Sequence, residues 1–217
     1  MRRAFMLCLL LCLLTAPVCA EIVGRTQEDY IHRHIAENGQ EIYFLSIEED
    51  PLVYAEDVNF DGSHDLVVCT AQGASNAAYE FFLFDGSCYT LADRPSSMDL
   101  INYALHPDCG LVSTYANNGY AGLLYESALL RWEGTRLIEV RRAVSSHAES
   151  ETDDGDMHIR MEDYGRIALS VTEPTYDSEG YRDGNSMLFS HEAAHEEIIG
   201  YEQALLEAAH AALWDGL

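Results

Sequence analysis

Residues 57–65 constrain the fold of this chain more than any other segment, because oxygen-bearing side chains recur there in strict order. The segment reads Asp-Val-Asn-Phe-Asp-Gly-Ser-His-Asp, with Asp, Asn, Asp and Asp at loop positions 1, 3, 5 and 9 and glycine at position 6. Alternate side chains of a tight turn reach one centre only if the backbone bends sharply. Gly62 permits that bend, since glycine adopts positive φ at little steric cost. This pattern predicts a loop around a hard cation such as calcium, which takes six to eight oxygens at roughly 2.3–2.6 Å.

The predicted calcium ligands are the side chains of Asp57, Asn59, Asp61 and Asp65 and the main-chain carbonyl of Ser63, with water completing the shell. Without an ion the three carboxylates would repel one another, so metal binding would also contribute to folding. An ordinary turn needs only one or two such residues, whereas five occur here in register. We therefore predict Ca²⁺ as a cofactor.

The residues that follow the loop exclude an EF-hand. An EF-hand needs a bidentate glutamate at position 12 and a helix beyond it, but position 12 is Val68, within a β-branched run that predicts a strand. The pattern Asp-x-Asn-x-Asp-Gly-x-x-Asp-Leu entering a strand resembles the FG-GAP (VCBS-type) repeat loop. The stretch DVNFDGSHDLVV is similar to the single-copy version in small bacterial cell-envelope proteins, some of which are related to periplasmic lysozyme inhibitors. The resemblance covers roughly residues 41–144 and suggests binding of a basic envelope enzyme through an acidic face, as an inhibitor-like protein would. The calcium loop, an export signal, β-hairpins and the lack of an assembled catalytic constellation favour a non-enzymatic binding module.

The first twenty residues predict export. Arg2 and Arg3 precede an apolar run over residues 4–15, and Ala16-Pro-Val-Cys-Ala20 ends in a small-residue cleavage pattern. We predict a signal peptide over residues 1–20 and a single mature domain over residues 21–217, with no transmembrane segment. The expected location is the periplasm, the cell envelope or the extracellular space.

The charge of the chain is strongly negative. There are 37 Asp and Glu residues against 12 basic residues, all arginine, for a formal charge of −25. Lysine Schiff-base chemistry is therefore excluded. Nucleic acid and anionic membranes are disfavoured as partners, because both require a basic patch. The charge favours a basic protein or peptide as the partner. The alternative is that the charge only keeps a secreted protein soluble.

Three cysteines remain after the predicted signal peptide, namely Cys69, Cys88 and Cys109. An odd number in an oxidising compartment predicts one disulfide and one buried thiol. Pairing of Cys88 with Cys109 and pairing of Cys69 with Cys88 are both open.

The mature chain predicts a mainly β fold with a short N-terminal helix over residues 26–36, which Asn38-Gly39 ends. Beyond that helix the hydrophobic period changes to two, and turn residues separate the β-rich runs. Successive hairpins indicate antiparallel sheet, either a sandwich or a small propeller-like arrangement. The predicted strands are 41–47 and 52–55, followed by the hairpins 79–84 with 88–91, 100–105 with 110–115, 121–132 with 136–144, and 157–161 with 166–171.

A C-terminal helix is predicted over residues 191–214, with Ser190 as its N-cap. It begins with His191-Glu192-Ala-Ala-His195, a literal H-E-x-x-H motif, in which two imidazoles one turn apart bind zinc and the glutamate activates its water. The third protein ligand of a catalytic zinc is lacking, because positions 198 and 201 hold Ile and Tyr where the metzincin extension needs Gly and His. A zinc metallopeptidase with Glu192 as its catalytic residue is therefore only the alternative function.

Overall fold

Almost all of the regular secondary structure in the described part of the chain is β-strand. The computed structural model describes residues 30–94, 99–119, 123–147, 150–151, 157–158, 166–176, 182–194 and 207–217. Within these ranges the chain forms fifteen strands and one C-terminal helix, and every strand pairing is antiparallel. The predicted mainly β class is therefore confirmed. The predicted signal peptide lies outside the described residues.

The chain divides into two compact units, Met1–Ile47 and Glu48–Leu217. The described part of the first unit is a hairpin of β1 (Ile31–Ile35) and β2 (Glu41–Leu45). Its turn closes where the Gly39 N–H donates to the carbonyl of Ala36 at 2.8 Å, and Gly39 has a φ of 86°.

The prediction of an N-terminal helix is wrong for these residues, because β1 occupies positions 31–35. Asn-Gly favours a hairpin turn when extended strands flank it. Asn38-Gly39 was predicted to end a helix, but here it lies in the turn of a hairpin. Exposed and half-buried positions alternate through Ile31–Ile35 with the period of a strand. The ring of His32 stacks on that of Phe44 in β2, with centroids 5.7 Å apart.

The second unit begins with a five-stranded sheet. Its strands run in the order β3-β4-β5-β6, and β7 pairs with β5. Residues 65–69 of the central strand β4 are all buried. Burial on both faces explains the uninterrupted apolar run over residues 66–69. The five strands are β3 (Val53–Glu56), β4 (Asp65–Gln72), β5 (Ala77–Phe84), β6 (Tyr89–Leu91) and β7 (Leu100–Ile101).

A six-stranded sheet follows, with the order β15-β14-β11-β10-β9-β8, and β12 and β13 form a separate pair. The strands are β8 (Ala104–His106), β9 (Leu111–Gly119), β10 (Leu124–Glu133), β11 (Arg136–His147), β12 (Ser150–Glu151), β13 (Met157–His158), β14 (Arg166–Tyr176) and β15 (Arg182–Ala194).

The pairings confirm two of the four predicted hairpins, β5 with β6 and β10 with β11. The hairpin predicted from 100–105 and 110–115 is confirmed only for β8 with β9, since β7 pairs with β5. The fourth predicted hairpin is wrong. Its first strand, β13, pairs with β12, and its second, β14, pairs with β11 and β15. Local turn signals cannot reveal such pairings, because strands buried in a large sheet select partners by packing.

Two cores lie on opposite faces of the six-stranded sheet. On one face, buried side chains of β9, β10 and β11 pack with those of the five-stranded sheet and its loops, so the two sheets share one core. Its members are Val58, Val67, Phe81, Leu83, Ala92, Leu100, Val112, Ala128, Leu130 and Leu137. On the other face the sheet packs against the C-terminal helix. That cluster is Tyr125, Leu129, Ala143, Leu169, Val171, Ala209 and Leu213.

The C-terminal helix, α1, covers residues 207–214. The predicted helix over 191–214 is wrong for residues 191–194, which end β15 and pair with β14. Residues 195–206 lie outside the described part of the chain. In the described helix, Ala209 and Leu213 are buried against the sheet. No helix in the described ranges is long and apolar enough to cross a membrane.

The end of α1 is held by a side chain from the sheet. The guanidinium of Arg141 in β11 donates to the carbonyls of Ala212, Leu213 and Asp215 at 3.3, 3.3 and 2.5 Å. The last carbonyls of a helix lack partners within the helix and carry partial negative charge. Arg141 therefore satisfies these carbonyls and complements the helix dipole.

Replacing Arg141 with methionine should remove this cap while keeping an apolar stem of similar length. We expect Arg141→Met to lower the free energy of unfolding by about 1–2 kcal/mol in urea denaturation. The control is Arg131→Met, because Arg131 pairs with Glu133 at 3.5 Å and both side chains are more than half exposed. Exposed pairs contribute about 0–1 kcal/mol. Equal losses in the two variants would contradict the capping role.

Candidate metal centre

The predicted calcium loop is the connection between β3 and β4. Glu56, the last residue of β3, pairs with Asp65, the first residue of β4, so the ends of residues 57–64 are brought together by the sheet. The loop has two residues with positive φ, Phe60 at 63° and Gly62 at 87°. The expected bend at Gly62 is present. Positive φ at an aromatic residue is unusual, and the packing of Phe60 against the shared core holds it there.

Three of the predicted ligands are drawn together by the loop's own amides. The Asp57 carboxylate accepts the N–H groups of Asp61 and Gly62 at 3.1 and 2.9 Å. The side-chain oxygen of Asn59 accepts the same Asp61 N–H at 3.1 Å. Oxygens of Asp57 and Asn59 therefore converge on one backbone amide. The Asn59 amide also donates to the Asp61 carboxylate at 2.9 Å.

Asp61 and Ser63 complete this network. The Ser63 N–H donates to the Asp61 carboxylate at 2.7 Å. That bond, followed by the one from Asn59, lowers the pKa of Asp61. Its charge therefore stabilises the fold above the unfolded-state pKa, and the contribution is lost as pH falls through the lowered folded-state pKa. The repulsion between carboxylates that the sequence suggested is thus offset at Asp61 by N–H donors.

Asp65 has a different environment from the other predicted ligands. It is fully buried, and its two oxygens accept the N–H groups of Val58 at 3.1 Å and Phe84 at 2.8 Å. Burial raises the pKa of Asp65, while the two amide bonds act in the opposite direction. Its carboxylate joins the loop, β4 and the end of β5.

A tryptophan from the six-stranded sheet also anchors the loop. The indole N–H of Trp132 donates to the carbonyl of Val58 at 2.7 Å, and Val58 itself is fully buried. Sequence reasoning missed this contact, because the two residues are 74 positions apart and no local pattern marks the pair. The loop is therefore held at Val58 through both its N–H and its carbonyl.

The chain contains a second turn with the same tetrapeptide as the loop. Phe-Asp-Gly-Ser occurs at residues 60–63 and again at residues 84–87. In the second copy the Asp85 carboxylate accepts the Ser87 N–H at 2.8 Å, and Gly86 has a φ of 92°. Positions four and two residues before Asp85 hold Phe81 and Leu83, where the first copy has Asp57 and Asn59. The second turn therefore has the same tetrapeptide without the first two predicted ligands, and it serves as an internal control for calcium binding by the first.

The donor set of the loop fits a hard cation in chemistry. Asp57, Asn59, Asp61 and the Ser63 carbonyl supply oxygen only, which is what calcium prefers. Each carboxylate oxygen has a second lone pair beyond the one that accepts an amide. Among the residues described, no three His, Cys, Asp or Glu side chains cluster so as to hold a metal. An ion at this loop would thus depend on the amide and carbonyl oxygens of Asn59 and Ser63 as well as on carboxylates.

The structure places the first four residues of the predicted zinc motif, at positions 191–194, on a strand and not on a helix. His191 and Glu192 are neighbours on β15, opposite Leu169 and Ala168 of β14. Adjacent strand residues point to opposite faces of a sheet, so these two side chains are not directed at one centre. The Glu192 carboxylate forms an ion pair with Arg166. His195 lies outside the described residues.

The expected disulfide is wrong, since Cys69, Cys88 and Cys109 are all free thiols. A disulfide requires Cα atoms within about 7 Å. Cys69 is buried within β4, whereas Cys88 and Cys109 are exposed in the turns before β6 and β9. Tertiary structure thus distributes the three thiols over separate elements.

A tyrosine pair adjoins the loop and was not identified from the sequence. The hydroxyls of Tyr54 and Tyr103 lie 2.7 Å apart, and Tyr103 donates to the carboxylate of Glu56. Burial, followed by the bond to Glu56, raises the pKa of Tyr103. Glu56 directly precedes Asp57. The tyrosine pair is therefore hydrogen-bonded, through Tyr103, to the carboxylate that immediately precedes the loop in sequence.

We expect Asp65→Asn to destabilise the protein by about 2–3 kcal/mol, because the new amide group would face a backbone N–H in a buried site. Urea denaturation in the presence of a chelator measures this independently of any metal. Asp85→Asn is the control, since the oxygen that accepts the backbone amides is kept and the site is exposed. A loss for Asp65→Asn no larger than that of the control would refute the structural role.

Comparisons with known proteins do not assign this chain to a family. No protein-family model, no curated protein and no solved structure matches it. The resemblance of residues 57–65 to the FG-GAP loop therefore stays a prediction.

Proposed function

We propose that this chain is an exported, calcium-binding, non-enzymatic binding module whose partner is a basic protein. The observation that supports calcium binding most directly is the convergence of Asp57 and Asn59 oxygens on the Asp61 amide. The N-terminal segment supports export. The net charge of −25 supports a basic partner, and the resemblance to inhibitor-like envelope proteins suggests a basic envelope enzyme. The shared core of the two sheets favours a sandwich over a propeller-like arrangement.

In this proposal Asp57, Asn59 and Asp61 hold the ion by side chain and Ser63 by its carbonyl, with water in the remaining positions. Asp65 contributes chiefly by keeping the loop attached to the sheet through Val58 and Phe84. The ion would neutralise the loop carboxylates and stabilise the folded loop, because ligands assembled only in the folded state make binding energy into folding energy.

Calcium should raise the melting temperature of the wild-type protein. At a calcium concentration near a hundred times Kd, the stabilisation is about 2.7 kcal/mol. Asp57→Asn and Asp61→Asn each remove one negative charge from the site, so we expect both variants to lose most of this increment. Thermal unfolding in calcium and in chelator measures the difference.

Asp85→Asn is the matched control for the calcium experiment, because it alters the same tetrapeptide outside the loop. It should keep the full calcium-dependent increment. Calcium binding at residues 57–63 is contradicted if Asp57→Asn and Asp61→Asn also keep it, or if wild-type protein melts identically in calcium and chelator.

Zinc content separates this proposal from the metallopeptidase alternative. The strand conformation of His191 and Glu192 and the ion pair of Glu192 with Arg166 both disfavour a zinc site there. We expect purified protein to contain no stoichiometric zinc by metal analysis. Stoichiometric zinc together with casein hydrolysis that is lost in Glu192→Gln would support the peptidase instead.

A further inference from the structure

The first unit exposes a cluster of large apolar side chains. Four residues of the β1–β2 hairpin, together with Ile47 just beyond it, are about half exposed, although large apolar residues are expected in a core. We call this surface the hairpin face. Its members are Ile31 (49% exposed), Ile35 (55%), Tyr43 (57%), Leu45 (56%) and Ile47 (57%).

The strand pairing explains why these side chains share one face. Successive strand residues point to opposite sides, and Ile31 lies directly opposite Leu45. The intervening residues Ile42, Phe44 and Ser46 are buried, at 4%, 6% and 3% exposed. The hairpin therefore has one face that is buried in β2 and one open face, on which large apolar side chains outnumber the charged Arg33 and Glu41. An ordinary surface hairpin would have mostly polar residues on the open side.

The size of the hairpin face is that of an interaction site. The largest apolar patch on a typical monomer covers roughly 300–600 Å² and is often functional. Five half-exposed large side chains reach that range by themselves. A stable interface buries about 800 Å² on each partner, so polar residues around the hairpin face would have to supply the remainder.

Charge selects among the possible occupants of this surface. Arg33 lies on the same side of the hairpin as these apolar residues and is paired with Glu41 at 3.7 Å, and the Tyr43 hydroxyl also donates to Glu41, at 2.6 Å. Residues 30–47 contain this single arginine and two glutamates, and Glu48-Glu49-Asp50 follow directly in sequence. A second copy of the chain would bring another charge of −25, and an anionic membrane would likewise repel it. A cationic protein is attracted by the same field.

We infer that the hairpin face is the docking surface for a basic protein that presents an apolar patch. This inference rests on the proposed function for the nature of the partner, but not on calcium binding. Apolar burial would provide the affinity, while the acidic surroundings would accelerate association and exclude acidic proteins.

The test compares two double variants of equal size and exposure. Ile35→Thr/Leu45→Thr alters the hairpin face, and threonine suits a strand. Leu52→Thr/Leu91→Thr alters two leucines of the second unit that are 60% and 51% exposed. Lysozyme and cytochrome c serve as basic probes and ovalbumin as an acidic one, with binding measured by surface plasmon resonance at low and high salt. Tyr43→Ala is a second hairpin-face variant, and circular dichroism checks the fold of each.

We expect wild-type protein to bind at least one basic probe and not ovalbumin, with slower association at high salt. Kd should rise by about tenfold or more in the hairpin-face variants and stay within about twofold of wild type in the control. All variants should keep the calcium-dependent shift in melting temperature. A loss of calcium binding can therefore be distinguished from a loss of probe binding.

Three outcomes would overturn the inference. The first is binding of a basic probe that the hairpin-face variants retain, which would leave the proposed function standing but place its surface elsewhere. The second is no binding of either basic probe. The third is self-association in sedimentation, or binding to phosphatidylglycerol vesicles, that the hairpin-face variants abolish.

Discussion

A single buried carboxylate connects the candidate metal loop to the sheet on which it depends. Asp65 is fully buried, and its oxygens accept one amide from the loop, at Val58, and one from the end of β5, at Phe84. Water cannot replace either bond, so the carboxylate is retained against the cost of desolvation that raises its pKa. The conformation of the loop is consequently tied to the pairing of β4 with β5.

Folding also changes the electrostatic environment of the loop carboxylates. From the sequence, clustered carboxylates would repel one another unless an ion lies between them. In the folded chain, backbone amides of Asp61, Gly62 and Ser63 point at the carboxylates of Asp57 and Asp61, and the pKa of Asp61 is lowered. The loop is thus organised by its own N–H groups, which reduces the ordering cost that an incoming cation would have to overcome.

The six-stranded sheet gives the second unit its organisation. One face shares a core with the five-stranded sheet, where Val58 and Phe60 of the loop also pack, and the other face carries α1. Trp132 and Arg141, on neighbouring strands of this sheet, hydrogen-bond to the loop and to the helix end respectively. One sheet therefore positions both the candidate metal loop and the C-terminal helix, whereas the hairpin face belongs to the first unit.

The sequence by itself determined the strand class, the hairpins at Asp85-Gly86-Ser87 and Glu133-Gly134, and the bend at Gly62, because periodicity and turn chemistry are local properties. Tertiary structure alone decided that residues 31–35 and 191–194 are strands, that β14 pairs with β11 and β15, and that the three cysteines stay apart. It also decided the bonds from Trp132 to Val58 and from Asp65 to Phe84. These features depend on partners distant in sequence, and a segment with both helical and strand-like patterns adopts whichever conformation buries its apolar residues and satisfies its backbone in the assembled sheet.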